Sequence, residues 1–430
     1  MSGEPTVGRE MYALIADLYP LCRSITGNGV RRTLEIVGRL TPLELHEVPS
    51  GTPVLDWTVP REWNIRDAYV KASDGRRVID FQVSNLHVIS YSTPVRTRMR
   101  LEQLRPRLHT HPDFPDVVPY RTSYYTETWG FCLSQRQLDA MPEDEYEVVI
   151  DSSLESGHLT YGEGYLSGST EDEILVSCHI CHPSLANDNL SGIALVAFLA
   201  RALAEAPRRY SYRFLFIPGT IGSITWLARN EQRVGRIKHG LVIAGVGDGK
   251  PFTYKRSRHG DAEIDRAAVH VLRHQGTPFS VVDFSPYGYD ERQFCSPGFN
   301  LPVGCFMRAP HGQYREYHTS ADDLSLVTPE ALAASLRICQ DIVDVLGGNA
   351  RYLNQNPKGE PQLGKRGLYR ALGGELERQS RELAMLWVLN LSDGGHTLLD
   401  IAERAGLAFE HIRAAAAALA QHGLLKAAPS

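Results

Sequence analysis

Cys178-His179-Ile180-Cys181-His182-Pro183-Ser184-Leu185-Ala186-Asn187-Asp188-Asn189-Leu190-Ser191-Gly192 decides the reading of this chain, because it sets two histidines and a carboxylate between two apolar segments. The preceding Glu173-Ile174-Leu175-Val176-Ser177 has the continuous apolar character of a buried parallel strand. The following Ile193 to Leu203 has the apolar spacing of a helix. Loops beyond the carboxyl ends of parallel strands are where open α/β sheets hold ligands. Neutral imidazole and carboxylate are ligand types of zinc and its neighbours, so His179, His182 and Asp188 read as half of a metal site.

The other half lies in Tyr314-Arg315-Glu316-Tyr317-His318-Thr319-Ser320-Ala321-Asp322-Asp323, after an expected strand at 301–306. Together the two segments resemble the zinc aminopeptidase and glutaminyl-cyclase-like superfamily. There, a His-(spacer)-Asn-Asp-Asn-x-Ser-Gly loop carries an early His and a bridging Asp, and Tyr-His-Thr-x-x-Asp carries a late His. The resemblance implies zinc as cofactor, Asp188 as bridging carboxylate, His318 as late ligand, and His179 or His182 as the early one. Within that superfamily the chain is similar to a bacterial aminopeptidase-like group often associated with polysaccharide or secondary-metabolite gene sets. That likeness runs through the Cys-His-x-Cys-His-Pro-Ser run, Leu86 to Ser92, Pro119 to Tyr125, Trp129 to Cys132 and Gly364 to Tyr369, nearly the whole chain.

One position departs from the pattern. Peptidases of the superfamily carry a Glu-Glu pair after the next strand, the first acting as general base, and the aminopeptidase-like group usually keeps one Glu. Here the strand Tyr212 to Ile217 leads into Pro218-Gly219-Thr220-Ile221-Gly222, with Gly219 where the base is expected. Loss of a proton-shuttling carboxylate costs a factor of roughly 10²–10⁴ in rate. Glu316 and the pair Asp290-Glu291 are the nearest candidates to replace it, and a Glu restored at 219 is expected to raise hydrolysis about tenfold.

Blander readings accompany each residue. Cys178 to His182 matches the haem c attachment pattern, and Cys178 with Cys181 matches half of a structural zinc site, but no export signal and no second cysteine pair accompany them. Asp188 has the chemistry of a helix N-cap. Asp248, beside Gly247 and Gly249, reads equally as a turn former or as the superfamily's last ligand Asp.

The chain has 430 residues, enough for two or three domains. A net charge of −5, without basic clusters, gives no electrostatic support for a nucleic-acid partner. Seven scattered cysteines fit a reducing, cytoplasmic setting, and no apolar run has membrane-spanning length. The patterning predicts α/β architecture: a three-layer αβα domain over 1–48 and 151–348, which the resemblance implies is aminopeptidase-like (phosphorylase/hydrolase-like), a β-rich insert over 49–150, and a C-terminal winged-helix-like domain over 375–430. The resemblance implies that the insert is protease-associated-like.

In the insert, Val54 to Val59, Ala68 to Val70, Val88 to Tyr91 and Tyr146 to Ile150 read as strands. After a connector at 349–374, helices are expected over 382–391, 397–405 and 409–422. A DNA reader places a basic, polar helix in the major groove. The last helix here holds Arg413 and then Ala414 to Ala420, a packing surface, so this domain reads as a docking or dimerisation module with no nucleic-acid partner.

The expected function is a zinc-dependent hydrolase of a small amide, peptide or aminoacyl substrate, with Arg121, Tyr124, Tyr125, Arg256, Arg258 and Tyr287 available to grip it. The alternative, supported by Gly219, is a hydrolysis-deficient homologue that binds, transfers or cyclises an aminoacyl intermediate.

Overall fold

The computed structural model describes residues 4–368 and 375–428. Its central sheet is built from β1 (Glu44–Pro49), β2 (His158–Leu166), β3 (Glu173–His179), β4 (Ser211–Ile217), β5 (Ile237–Ile243), β6 (Phe252–Lys255), β7 (Phe279–Val282) and β8 (Val303–Met307). Their order is β1-β2-β4-β3-β5-β8-β6-β7. The middle strands β4, β3, β5 and β8 run parallel, and β2 and β6 flank them antiparallel. Every residue of β3 and β4 is buried, which is why both read as continuous apolar runs rather than alternating ones.

Helices cover this sheet as the αβα expectation requires. Helix α1 (Glu4–Leu18) packs on α3 (Gly192–Ala204), which lies against β3, β4 and β5, while α2 (Asn28–Val37) packs on β2. Helix α4 (Ile221–Asn230) contributes Ile221, Ile224 and Trp226 to a core shared with Leu175, Leu215, Val242 and Val303 from the strands. The parallel middle strands all point their carboxyl ends the same way, so the loops after His179, Ile217, Ile243 and Met307 gather at one edge.

The insert has its own four-stranded sheet, ordered Arg77–Asp80, Glu62–Lys71, Glu145–Glu155, Val95–Arg100. Its strand Glu145–Glu155 runs five residues past the expected boundary at 150 before the chain re-enters the central sheet. Val54 to Val59 forms a short hairpin, Pro53–Val54 with Trp57–Thr58. Val88 to Tyr91 makes only isolated bridges, Val88 to Phe131 and Ser90 to Thr122, rather than a strand.

Two compact units emerge: Met1–Gly260 with Ser280–Leu336, and Asp261–Phe279 with Arg337–Ser430. Helix α5 (Glu263–His274), which falls within the domain expected over 1–48 and 151–348, clusters with the C-terminal unit. Arg266 on α5 bonds Asp400 at 2.6 Å and Glu403 at 2.5 Å, and His270 Nε2 accepts the Phe409 N–H at 3.0 Å. Beyond α6 (Pro329–Gly348), this unit contains α7 (Glu375–Leu391), α8 (Leu398–Ala405) and α9 (Phe409–Gln421). Thr397 caps α8 by accepting the Asp400 N–H, and Gly406 ends it in the left-handed region. A three-stranded sheet completes the wing, with Arg351–Asn354 between Asp393–Thr397 and Leu425–Ala427. The wing therefore draws a strand from the segment expected to be connector. No helix among the described residues is long and apolar enough to cross a membrane.

Candidate metal centre

Asp188 lies at the centre of three histidines, fully buried. Its Oδ1 accepts from His179 Nε2 at 2.8 Å. Its Oδ2 has no hydrogen-bond partner, yet His318 Nε2 lies 3.1 Å and His182 Nε2 3.9 Å away. The two imidazole nitrogens, His318 Nε2 and His182 Nε2, are themselves 3.2 Å apart. Ligands about 2.0–2.1 Å from a tetrahedral zinc are separated by about 3.3–3.4 Å, so His182, His318 and Asp188 Oδ2 have the spacing of three corners of such a site. His179 belongs to the other oxygen; it also falls with His182 and Asp188 in a cluster whose ligand atoms lie within 4.8 Å of one another. The structure thus brings all four sequence-derived ligands together, and it divides the two early histidines between the two oxygens of Asp188.

The electrostatics suit a cation. Burial acts to raise the Asp188 carboxyl, but His182, His179 and His318 outweigh it and hold the group well below the usual carboxylate range. Burial, with His179, His318 and Arg23 adding to it against Asp188, pushes His182 well below the ordinary imidazole value. An imidazole so depressed gives up its proton readily and offers a metal its lone pair. An anionic carboxylate oxygen left buried with no hydrogen bond is costly unless a cation satisfies it.

The Asn-Asp-Asn pattern is explained by what holds the loop. Asn187 accepts the Gly247 N–H at 2.8 Å and reaches Asp248 at 3.3 Å. Asn189 donates to the Ile243 carbonyl at 3.0 Å and accepts the Gly245 and Gly192 N–H groups at 3.2 Å each. Asp322, four residues after His318, accepts the backbone N–H of Asn187 at 2.5 Å and of Asp188 at 2.9 Å. Gly192 opens α3 because a Cβ there would sit 2.3 Å from Asn189 Oδ1. Arg23, 1 % exposed, donates to the carbonyls of His182 at 2.8 Å and Pro183 at 2.7 Å and so anchors the other end of the loop.

Around the histidines stands an aromatic wall. Tyr289 stacks on His179 with centroids 5.1 Å apart, Tyr317 on His318 at 3.9 Å, and Tyr120 meets His182 and His318 edge-on at 5.2 and 5.1 Å. Tyr317 shares a 2.7 Å hydrogen bond with His311 Nδ1. Of the residues expected to grip substrate, Tyr124 bonds the Tyr120 hydroxyl at 3.0 Å, and Tyr287 packs against His311 with tilted rings, centroids 4.8 Å apart. Arg121 is engaged with His109, Arg256 with Asp283 and the Gly260 carbonyl, and Arg258 with Asn300. Sequence reasoning missed Arg23, Tyr120, Tyr289 and the loop-clamping role of Asp322. Of these only Asp322 carried a signal, its fixed spacing after His318.

The candidate bases separate clearly. Glu316 is partly exposed and pairs with Lys250 at 3.4 Å. Glu291 is fully buried and bonded to Lys255 Nζ at 2.8 Å. Asp290 alone adjoins Gly219: a Cβ on Gly219 would stand 3.2 Å from Asp290 Oδ2 and 3.1 Å from His179 Cβ. Ser223 holds Asp290 Oδ1 at 2.7 Å, leaving Oδ2 buried without a hydrogen bond. Burial pushes the Asp290 carboxyl up, against His179 and Ser223, which favours the shared proton of an acid–base group.

Asp248 is not drawn into the cluster; it accepts from Asn187 and from the Lys250 N–H at 3.0 Å. Cys178 and Cys181 are buried, and the metal-capable cluster of the described residues contains neither.

Comparison with known proteins bears on the family and the fold. Residues 12–349 match the family described as "Domain of unknown function (DUF4910)", and residues 350–427 match a winged helix-turn-helix family. A Clostridium acetobutylicum protein, named for polysaccharide biosynthesis with an aminopeptidase-like domain, is 56% identical over 419 residues, 97% of this chain and 96% of its own. A crystal structure of a candidate peptidase from the same organism superposes with TM-score 0.95 at 54% identity, covering 99% of this chain and 98% of that one. A zinc aminopeptidase of Bacillus subtilis shares the fold, with TM-score 0.58 and 12% identity over 79% of this chain and 95% of its own.

Proposed function

This chain belongs to the DUF4910 family, and we propose that it is a zinc-dependent, aminopeptidase-like hydrolase of a small amide, peptide or aminoacyl substrate. The observation that carries the reading is the buried, unpartnered Asp188 Oδ2 facing His182 and His318 at ligand spacing. His182, His318 and Asp188 would hold the ion, and His179 would orient Asp188 or take a second ion on Oδ1. Bound zinc would supply Lewis acidity for an amide carbonyl and make water more acidic at neutral pH.

The chain's own groups supply the proton transfers. Asp290 accepts a proton from water on Oδ2 and returns it to the leaving nitrogen, with Ser223 fixing the carboxyl through Oδ1. The stacked Tyr289 and Tyr317 exclude solvent and hold His179 and His318 in plane. We read the insert as protease-associated-like, the location as cytoplasmic, and the C-terminal unit as a docking or dimerisation module. The name of the Clostridium relative supports a biosynthetic role, in which an amide or aminoacyl group is removed from an intermediate.

Gly219 favours the rival reading, a homologue that binds or transfers without hydrolysing. One experiment separates them. Zinc is measured in the purified protein, and release of amine from a panel of aminoacyl amides is followed with and without chelator. Zinc near one equivalent with chelator-sensitive turnover supports hydrolysis. Zinc without turnover across the panel supports the rival, and absence of bound metal overturns both.

A further inference from the structure

Gly219 lines a second space besides the metal centre. A cavity of about 310 Å³ opens between the insert and the start of α4, walled by Ile25, Ile221 and Ile224 on one side and by Trp57, Tyr124 and Tyr125 on the other. Among the described residues that line it, Arg292 is charged and none is a carboxylate.

Three features mark this cavity as built for a ligand. Trp57 and Tyr125 remain 49% and 53% exposed, although large aromatic side chains gain more from burial than almost any other. They stand together, ring centroids 5.6 Å apart at 57°, forming an open angled platform. Tyr125 holds φ at 62°, a conformation that disfavours a bulky residue and that clusters at ligand clamps. Arg292 Nε is buried without a hydrogen-bond partner, an unsatisfied donor of a permanently charged group.

We infer that this cavity binds the far end of the substrate, a carboxylate carried on a body with a flat or branched apolar face. The body lies on Trp57 and Tyr125, and the carboxylate pairs with Arg292. A guanidinium fork matches a carboxylate in two parallel hydrogen bonds, and a largely apolar wall with one placed cation is the usual make-up of an orienting pocket. Because Gly219 borders the cavity and lies beside His179, a ligand so anchored has its other end directed toward the metal centre. The inference rests on the hydrolase reading only for that direction of approach. Two sources carry this chemistry: the free carboxyl end of an acylated amino acid or short peptide, and the carboxylate of a uronic acid whose sugar face stacks on the aromatic pair.

The test is calorimetric titration of the full-length protein with N-acetyl-L-phenylalanine against its primary amide, and with D-glucuronate against D-glucose. At least one carboxylate binds tenfold or more tightly than its neutral counterpart, and Arg292→Gln erases that preference. Trp57→Ala weakens charged and neutral members of the preferred pair alike. Preference for the acyl-amino acid identifies the peptide source, and preference for glucuronate the sugar source. Equal affinity within both pairs overturns the inference, and that comparison needs no variant.

Repeating the titration on metal-free Asp188→Ala protein separates the two proposals. If the preference survives there, the cavity stands whatever becomes of the hydrolase reading. If it disappears with the metal, the carboxylate was bound at the metal centre and the inference fails.

Discussion

Replacing Asp290 by Asn tests where the general base resides. The substitution keeps size and the oxygen that Ser223 contacts at 2.7 Å, so the fold around α4 is retained, while the proton-accepting Oδ2 is lost. Loss of general acid–base catalysis is worth roughly 10²–10⁴ in rate, about 3–5 kcal/mol in the barrier. Zinc content stays unchanged, because Asp290 is not among the groups spaced as ligands.

The companion experiment is Gly219→Glu. Its Cβ would meet Asp290 Oδ2 at 3.2 Å and His179 Cβ at 3.1 Å, both tight contacts. Two carboxylates about 4 Å apart repel by about 4 kcal/mol at an effective dielectric constant near 20, so one takes up a proton. The single variant therefore loses activity rather than gaining the tenfold expected from sequence. In the Asp290→Ala background the space and the charge are both free, and Gly219→Glu then restores at least tenfold over Asp290→Ala alone. Rates are read from amine release under saturating zinc, with Glu316→Gln as a control that changes them less than about threefold. Asp290→Asn retaining most of the wild-type rate at normal zinc content would refute the assignment, as would a gain from Gly219→Glu alone.

Other outcomes follow from the same geometry. Asp188→Ala, His182→Ala and His318→Ala each abolish stoichiometric zinc by metal analysis, since every one removes a corner of the site. Arg23→Met removes three hydrogen bonds, to the carbonyls of Leu18, His182 and Pro183, and lowers stability by about 2–4 kcal/mol in denaturant unfolding. His270, pushed down to about 4 by burial, must be neutral to accept the Phe409 N–H; an unfolded histidine protonates near 6.5. Its contribution is therefore full above about pH 6.5 and is lost as pH falls through 4, about 1–2 kcal/mol after allowance for solvent screening, and His270→Gln flattens that slope. Deleting residues 350–430 changes the solution mass per chain beyond the deleted residues by light scattering if the C-terminal unit self-associates, while zinc content persists; salt-sensitive, sequence-specific DNA binding by the intact chain overturns the docking reading.

What was legible in the sequence was local. His179, His182 and Asp188 lie within ten residues on one strand-loop-helix passage, where residue types and spacing point to a metal, and His318 sits in a second short passage that the family resemblance marks. What was not legible depends on segments meeting across the fold. Arg351–Asn354 gives no periodic signal, being four residues with little burial, and only its pairing with Asp393–Thr397 and Leu425–Ala427 makes it a strand. Helix α5 is amphipathic in any reading, but whether its face serves the central sheet or the C-terminal unit is decided by Arg266 and His270 finding Asp400, Glu403 and Phe409 more than 130 residues later.

Gly219 shows the same limit at the catalytic level. Read as one column, it is a base deleted; read in space, it is the clearance that lets a carboxylate from 71 residues onward occupy the same neighbourhood. A side chain at 219 would press on Asp290 Oδ2 at 3.2 Å and His179 Cβ at 3.1 Å, so the glycine leaves the aspartate its room. The presence of a carboxylate beside His179 is the property that proton transfer requires, and it does not depend on which strand supplies it.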